Sequence, residues 1–175
     1  MGLTVLLGGA RSGKSDLSSR LASAYDGPVV VVVTAEARDE EMTERIRRHR
    51  QARPAAWTTV EVAVELAAAV RDVGSDAFVV LDCLSLWVSN AIEVELGDEQ
   101  IVDEAREIAS AFAKREAPAI VISNEVGLGI VPMNALARRY RDTLGRVNVT
   151  FVGEADRAYF VVGGKALALE DVSLA

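Results

Sequence analysis

An eight-residue, glycine-rich motif near the start of the chain has the composition of a phosphate-binding loop. It reads Gly8-Gly9-Ala10-Arg11-Ser12-Gly13-Lys14-Ser15 and fits the pattern GxxxxGK[ST]. The glycines let backbone N–H groups turn toward phosphate oxygens, and a helix starting here would direct its positive end at the same anion. The lysine supplies a charge for the outer phosphates, and the final serine hydroxyl can ligate a magnesium ion. The motif therefore predicts a nucleoside triphosphate site.

An aspartate at the end of an apolar run supplies the second usual part of such a site. Residues 79–82 read Val-Val-Leu-Asp, and Asp82 can hold a magnesium ion together with Ser15. Residues 34–36, Thr-Ala-Glu, end another apolar run and should reach the same edge of a sheet. A simpler alternative is that Thr34 only caps a helix. We predict Mg²⁺ as a cofactor, with Ser15 and Asp82 as its ligands.

The only histidine of the chain lies in a strongly charged segment, residues 39–53. Acids come first in this segment and arginines last, an order that complements a helix dipole. Helical spacing places His49 on one face with Ile46, and Arg45 and Arg53 lie one turn to either side. A neutral imidazole beside cations that could hold phosphates is what nucleophilic attack on phosphorus requires. His49 is therefore a candidate nucleophile, with a structural or phosphate-binding role as the alternative.

A candidate general base follows the fourth predicted strand. Glu125 lies in the glycine-rich segment 123–129 and could accept a proton from an acceptor hydroxyl. It could equally be a solvated loop residue.

Apolar runs alternate with candidate helices along the whole chain and would position these residues. Strands are predicted at 3–7, 28–34, 77–81, 119–123 and 157–162, and helices at 14–25, 40–53, 62–71, 98–114 and 134–144. Continuous apolar runs suit a parallel sheet covered by helices on both faces, and residues 165–169 could add an antiparallel edge strand. We predict an α/β fold consisting of a single P-loop NTPase domain over residues 1–175.

Composition excludes several other classes of protein. The net charge of −7 argues against general nucleic-acid binding, which needs a cationic surface. One cysteine excludes an internal disulfide and cysteine-rich metal sites. The longest apolar stretch is too short to span a bilayer, so we expect a cytoplasmic protein with no membrane span.

Several uncommon strings, taken in order, resemble those of one known family. After GGARSGKS come TAEARDEEMTERIRRHRQARPAAWTTVE, LDCLSLWVSN, SNEVGLGIVP and ALARRYRDTLGRVN. Together they resemble the bifunctional adenosylcobinamide kinase/adenosylcobinamide-phosphate guanylyltransferases of cobalamin biosynthesis. The block RIRRHRQARPAAW weighs most, because generic phosphate-loop kinases have no counterpart to it.

The resemblance implies a two-step activity on a corrinoid. The first step would phosphorylate the aminopropanol hydroxyl of adenosylcobinamide with ATP or GTP. The second would transfer GMP from GTP to that phosphate through a GMP-histidine intermediate at His49, releasing pyrophosphate. The family is typically a homotrimer, so a homo-oligomer is expected. The nucleotide-binding residues that the resemblance implies are Gly8, Gly9, Ala10, Arg11, Ser12, Gly13, Lys14, Ser15, Thr34, Ala35, Glu36, Arg50, Gln51, Ala52, Arg53, Glu61 and Asp82.

Two departures from the family pattern lie outside these nucleotide-binding residues. Met133 stands where the family usually has Glu. Residues 149–153 read Val-Thr-Phe-Val-Gly, where the family usually continues with Gln and a regular Ala/Leu helix. We expect these changes to affect contacts with the corrinoid or the packing of helices between subunits, and to leave the nucleotide-binding residues intact.

Two other functions are compatible with a phosphate loop. A different small kinase would use His49 only to contact phosphate and would form no covalent nucleotide adduct. A nucleotide-gated binding module would normally carry an NKxD guanine-reading motif, and no asparagine of this chain begins one.

Overall fold

A computed structural model describes residues 2–171, and a seven-stranded sheet forms its centre. The strands are β1 (Leu3–Leu7), β2 (Val29–Val33), β3 (Thr58–Glu61), β4 (Phe78–Asp82), β5 (Ala119–Ile122), β6 (Arg157–Val162) and β7 (Lys165–Leu169). The helices are α1 (Lys14–Ala22), α2 (Glu40–Gln51), α3 (Leu66–Asp72), α4 (Leu84–Glu93), α5 (Asp98–Ala113) and α6 (Ala135–Glu154). The strand order is β3-β2-β4-β5-β1-β6-β7, and only β7 pairs antiparallel to its neighbour.

The central strands are buried on both faces of the sheet, which explains their continuous apolar runs. In β1, Val5 packs into the core beneath α3 to α6, whereas Leu6 packs into a smaller core that includes Ala22 of α1. The same alternation recurs in β4, where Leu81 faces the larger core and Val80 the smaller one. The prediction of a mostly parallel sheet with helices on both faces and an antiparallel edge strand is confirmed.

Three elements differ from the sequence predictions. Strand β3 was not predicted, and its four residues lie at an edge of the sheet with little burial. Helix α4 was also missed, although Leu84, Trp87, Val88 and Ala91 have the spacing of a buried helical face. Helix α6 continues ten residues beyond its predicted end at residue 144, because residues on both sides of Gly145 pack against the core.

The remaining predictions differ from the structure mainly at the ends of elements. Helix α3 begins at Leu66 rather than at residue 62, and α1 ends at Ala22 rather than at residue 25. Within residues 2–171, none of the helices has the combination of length and apolar composition that crossing a bilayer requires. The prediction of one domain over residues 1–175 includes Met1 and residues 172–175, which lie outside the described part of the chain.

Parallel strands bring their carboxyl ends to one edge of the sheet. The segments that follow β1, β2, β4 and β5 therefore meet there: the phosphate loop, Thr34, Cys83 and Ser123. Open α/β sheets bind ligands outside the carboxyl ends of their strands. The candidate site is at this edge.

Candidate active site

The phosphate loop connects β1 to α1 and is folded around the side chain of Lys14. The Lys14 Nζ donates hydrogen bonds to the carbonyl oxygens of Gly8, at 2.8 Å, and Gly9, at 2.7 Å. Only 7% of Lys14 is exposed, and this burial lowers the pKa of its ammonium, while neighbouring Cys83 and Asp82 act in the opposite direction. The loop therefore carries a preplaced cation at the point where an anion would enter.

The hairpin between β6 and β7 supports the phosphate loop from behind. The Gly164 N–H donates to the carbonyl oxygen of Ser12 at 2.9 Å. A Cβ atom on Gly13 would lie 3.1 Å from the Gly164 Cα, and one on Gly8 would lie 2.2 Å from the Val161 carbonyl oxygen. The glycines of the motif thus let the last two strands approach the loop closely, a role in addition to phosphate contact.

The carboxylate of Asp82 ends β4 and faces a cation from the segment after α2. The Asp82 Oδ2 lies 3.5 Å from an Arg53 guanidinium nitrogen, with 22% and 12% of the two side chains exposed. Burial lowers the pKa of Arg53, and the charge of Asp82 opposes this shift. Asp82 and Arg53 form a partly buried ion pair beside the phosphate loop.

Thr34 holds the chain immediately after Asp82. Its hydroxyl donates to the Cys83 carbonyl oxygen at 2.7 Å and accepts from the Cys83 N–H at 3.0 Å. The Thr34 carbonyl oxygen in turn accepts a 2.8 Å hydrogen bond from the side chain of Asn90 on α4. Thr34 is fully buried, so these contacts fix the ends of β2 and β4 relative to each other.

Helix α2 presents one face to the phosphate loop. Asp39 caps it, accepting a hydrogen bond from the Met42 N–H at 2.7 Å. Glu44 accepts hydrogen bonds from Arg47 and Arg48, which lower the pKa of its carboxyl to about 2. His49 is half-buried on the face of α2 that borders the site, as its spacing predicted.

Three neighbouring spaces with shared wall residues lie between α2 and the sheet edge. The largest, which we call the phosphate cavity, has a volume of about 730 Å³ and includes Ala10 to Asp16 of the loop in its wall. The second, the apolar cavity, measures about 270 Å³ and lies between α2 and the ends of β2 and β3. A recess of about 50 Å³ touches the start of α1. His49 and Asp82 line all three.

Comparison with known sequences decides the family. Residues 4–169 match the family described as CobU, cobinamide kinase/cobinamide phosphate guanyltransferase. The chain belongs to this family. It is 39% identical over 168 residues to the bifunctional adenosylcobalamin biosynthesis protein CobP of Pseudomonas aeruginosa, covering 95% of this chain and 96% of that protein. It is 35% identical over 176 residues to CobU of Salmonella typhimurium, covering 93% and 96% of the two chains.

Solved structures of lower sequence similarity share the fold alone. An ATPase of a bacterial type III secretion system matches 91% of this CobU-family chain and 50% of its own length, with a TM-score of 0.58 at 11% identity. A KaiC-like protein of Pyrococcus horikoshii matches 91% and 70% of the two chains, with a TM-score of 0.52 at 14% identity. The P-loop NTPase fold predicted from the sequence is confirmed.

Most of the residues predicted to bind nucleotide line one of the three spaces of this CobU-family chain. Those that do, with the predicted nucleophile, are Ala10, Arg11, Ser12, Gly13, Lys14, Ser15, Ala35, His49, Arg50, Ala52, Arg53, Glu61 and Asp82. Five do not: Gly8 and Gly9 accept hydrogen bonds from Lys14, Thr34 bonds to Cys83, Glu36 pairs with Arg38, and Gln51 accepts a hydrogen bond from Arg47. The binding of nucleotide by any of these residues stays a prediction.

The structure adds residues to the site that the sequence did not single out as site residues. Glu41, Glu44 and Arg48 line the phosphate cavity from α2, Leu86 lines it from the first turn of α4, and Asn124 lines it from the segment after β5. The helical repeat offered a signal for Glu41, because Glu41 precedes His49 by eight residues, about two turns of a helix.

Glu125 does not line any of the three spaces. Its carboxylate accepts a hydrogen bond from the Gly127 N–H within its own loop. The structure therefore gives no support to its candidacy as a general base.

The oxygen ligands available for a metal ion suit magnesium. Ser15 and Asp82 both line the phosphate cavity, and both offer hard oxygen donors. No group of three or more His, Cys, Asp or Glu side chains placed to hold a metal occurs among residues 2–171. A small protein donor set completed by phosphate oxygens and water is the arrangement that Mg²⁺ prefers.

Proposed function

We propose that this protein phosphorylates adenosylcobinamide with ATP or GTP, and then transfers GMP from GTP to the phosphate through a covalent adduct on His49. One observation carries the proposal: the only histidine of the chain lines the same cavity as the phosphate loop. Family membership supports the general activity, since the family is described as both a cobinamide kinase and a cobinamide phosphate guanyltransferase.

The position of His49 suits attack on the innermost phosphate. The recess beside His49 is also lined by Ser15 and Asp16, at the amino terminus of α1. Backbone N–H groups at this end of a phosphate loop hold the inner phosphates, and the Lys14 side chain reaches the outer ones. An imidazole nitrogen of His49 would therefore form its bond to the α-phosphorus.

Positively charged side chains and backbone N–H groups of the cavity would stabilise the negative charge of the departing pyrophosphate. As the α-phosphorus bonds to His49, the bond to the pyrophosphate oxygen breaks and its electron pair stays with pyrophosphate. Lys14 and the loop N–H groups would stabilise this charge as it develops, and Arg45 borders the same cavity. Magnesium held by Ser15 and Asp82 would add positive charge at the triphosphate.

In the second step of guanylyl transfer, GMP passes from His49 to the corrinoid phosphate and the free histidine is regenerated. A phosphate oxygen of the corrinoid attacks the phosphorus of the adduct, and the bond between phosphorus and the His49 nitrogen breaks. The imidazole is regenerated and the product is adenosylcobinamide-GDP. The apolar cavity lies on the other side of His49, lined by Val33, Met42 and Ile46, and is a suitable place for the guanine base.

The proposed adduct gives a direct test. Purified protein is incubated with Mg²⁺ and GTP labelled at the α-phosphate, and is then analysed by denaturing electrophoresis. Label should stay with the wild-type protein, be lost in acid, survive alkali and be absent from His49→Ala. Glu40→Gln, on the same helix but outside the three spaces, is the matched control and should label normally.

Absence of label from a wild-type protein that still binds GTP would contradict the covalent mechanism. It would favour a small kinase in which His49 only contacts phosphate. Loss of labelling in Glu40→Gln as well would indicate that α2 itself had been disturbed.

The proposal includes assembly into a homo-oligomer, a trimer by resemblance to the family. An exposed apolar surface after β5 supports it, with Leu128 80%, Ile130 97% and Met133 99% exposed. Apolar side chains in such a series commonly mark a contact surface. Light scattering should give the mass of three chains, and Ile130→Asp should lower it to that of one chain.

A further inference from the structure

Two carboxylates face the phosphate cavity from α2, an unusual feature for a space that must hold a polyanion. Both Glu41 and Glu44 line it. Acids repel phosphate, so the charge balance of each carboxylate bears on what it can do in this cavity. The two residues differ in this respect.

Glu44 is compensated by its own helix. Arg47 and Arg48 donate hydrogen bonds of 2.7 and 2.8 Å to its carboxylate oxygens, and these bonds lower its pKa to about 2. A carboxylate held in this way is a weak base. Glu41, in contrast, forms no ion pair with any side chain in the described part of the chain.

Helical spacing places Glu41 in line with His49. The two are eight residues apart, with Arg45 midway, so all three share one face of α2. At 1.5 Å per residue, Glu41 and His49 stand about 12 Å apart along the helix axis. All three residues line the phosphate cavity, so this face of α2 extends along its length.

The two ends of this face correspond to different parts of a bound triphosphate. His49 meets the start of α1, where the inner phosphates bind. Glu41 lies two helical turns away but still in the wall of the same cavity, so a triphosphate that runs along α2 from His49 would bring its outer phosphates toward Glu41. An acceptor hydroxyl approaching the γ-phosphorus in line would enter the cavity from that side.

We propose that Glu41 is the general base of the kinase step, which takes the proton from the acceptor hydroxyl of the corrinoid. The inference rests on the function proposed above and assigns a separate residue to its first reaction. The hydroxyl oxygen forms a bond to the γ-phosphorus, and its proton passes to a Glu41 carboxylate oxygen. The bond between the γ-phosphorus and the β–γ bridging oxygen breaks, its electron pair stays with the nucleoside diphosphate, and Glu41 later releases the proton to water.

This assignment divides the two reactions between the ends of one helix face. His49 would act on the α-phosphorus in guanylyl transfer, and Glu41 would act beside the γ-phosphorus in phosphorylation. A single triphosphate position would then serve both reactions. Loss of His49 should impair guanylyl transfer and spare phosphorylation, and loss of Glu41 should do the reverse.

The test measures both reactions in the variant Glu41→Gln, which keeps the size of the side chain and removes its basicity. Phosphorylation of adenosylcobinamide is followed with ATP labelled at the γ-phosphate, and adduct formation is followed with GTP labelled at the α-phosphate. We expect kcat of the kinase step to fall by about 100-fold or more, the usual contribution of a general base, with little change in KM for ATP. Adduct formation should stay within about twofold of wild type, which also demonstrates that the variant is folded.

Glu40→Gln is the matched control. It removes a carboxylate from the same first turn of α2 without touching the cavity, so its kinase rate should match that of wild type. A Glu41→Gln enzyme that keeps wild-type kcat would overturn the role of Glu41, as would equal loss of both reactions. If wild-type protein phosphorylates no adenosylcobinamide at all, the proposed kinase function itself is wrong and the role of Glu41 falls with it.

Discussion

The guanidinium of Arg53 lies 3.5 Å from the carboxylate of Asp82, and both side chains are mostly buried. The acid predicted to hold magnesium is therefore already paired with a cation attached to the end of α2. A bound metal ion and Arg53 would act on the same carboxylate, so metal binding and the position of the helix end are linked.

Removal of the Asp82 charge should weaken the binding of the magnesium ion that accompanies GTP. In Asp82→Asn we expect the Mg²⁺ concentration needed for half-maximal GTP binding to rise about tenfold or more, equivalent to about 1.4 kcal/mol. Titration of GTP binding with Mg²⁺ measures this directly. Asp103→Asn, which removes a surface ion pair with Arg106 on α5, should behave as wild type. An unchanged midpoint in Asp82→Asn would exclude Asp82 as a metal ligand.

The two glycines that begin the phosphate loop should differ in their tolerance of a side chain. A Cβ on Gly8 would lie 2.2 Å from a backbone oxygen of β6, whereas one on Gly9 would meet no atom within 4 Å. We expect Gly8→Ala to lower the free energy of unfolding by about 1–3 kcal/mol, and Gly9→Ala to change it by less than about 0.5 kcal/mol. Denaturant unfolding of the two variants would compare them, and equal losses would contradict the packing described here.

The hydroxyl of Thr34 should contribute to stability through its two bonds to Cys83. Thr34→Val keeps the shape but leaves the partly buried N–H and carbonyl of Cys83 without their partner, at a cost of about 1–3 kcal/mol. Thr34→Ser keeps the hydroxyl and should stay much closer to wild type in chemical denaturation. If Thr34→Val unfolds at the wild-type denaturant concentration but binds GTP poorly, the hydroxyl acts on nucleotide instead.

Tyr140 should make the protein less stable at high pH. Burial, with a smaller effect of Cys83, raises the pKa of Tyr140 from 10 to about 12, so folding favours its neutral form. Its stabilising contribution is complete below pH 10 and is lost as pH rises toward about 12, because the unfolded chain ionises first. The free energy of unfolding, measured between pH 9 and 11, should therefore fall less in Tyr140→Phe than in wild type. Parallel pH curves for the two proteins would argue against this effect.

The sequence predicted the central strands well because burial on both faces leaves an uninterrupted apolar run. Strand β3 gave no such run, because Val60 is its only aliphatic residue and the strand lies at the sheet edge. Helix α4 did carry a helical apolar spacing and could have been found from it. The length of α6 was underestimated because a glycine at position 145 weakens helix propensity, whereas packing of Leu144 and Val147 determines the outcome.

In the candidate site, too, the features that could be predicted depend on local sequence, and those that could not depend on contacts between residues distant in the chain. A contiguous motif was enough to predict the phosphate loop, and that motif together with a strand ending in an acid predicted that Asp82 lies near it. The bonds between Thr34 and Cys83 join residues 49 positions apart, and no local pattern encodes them. The position of Asn124 in the cavity wall likewise depends on the order of the strands.

The position of β1 in the sheet determines how late in translation the nucleotide-binding site can form. Both neighbours of β1 come from late in the chain, β5 at Ala119–Ile122 and β6 at Arg157–Val162, and the glycine hairpin that holds the phosphate loop follows β6. A ribosome adding about 5–20 residues per second needs roughly 8–30 seconds to advance from that loop to its support. Until the end of this interval the nascent chain contains its nucleotide-binding motif but lacks β6 and the hairpin that supports it. We therefore expect nucleotide to bind only after residues through β7 have emerged, too late to guide early folding.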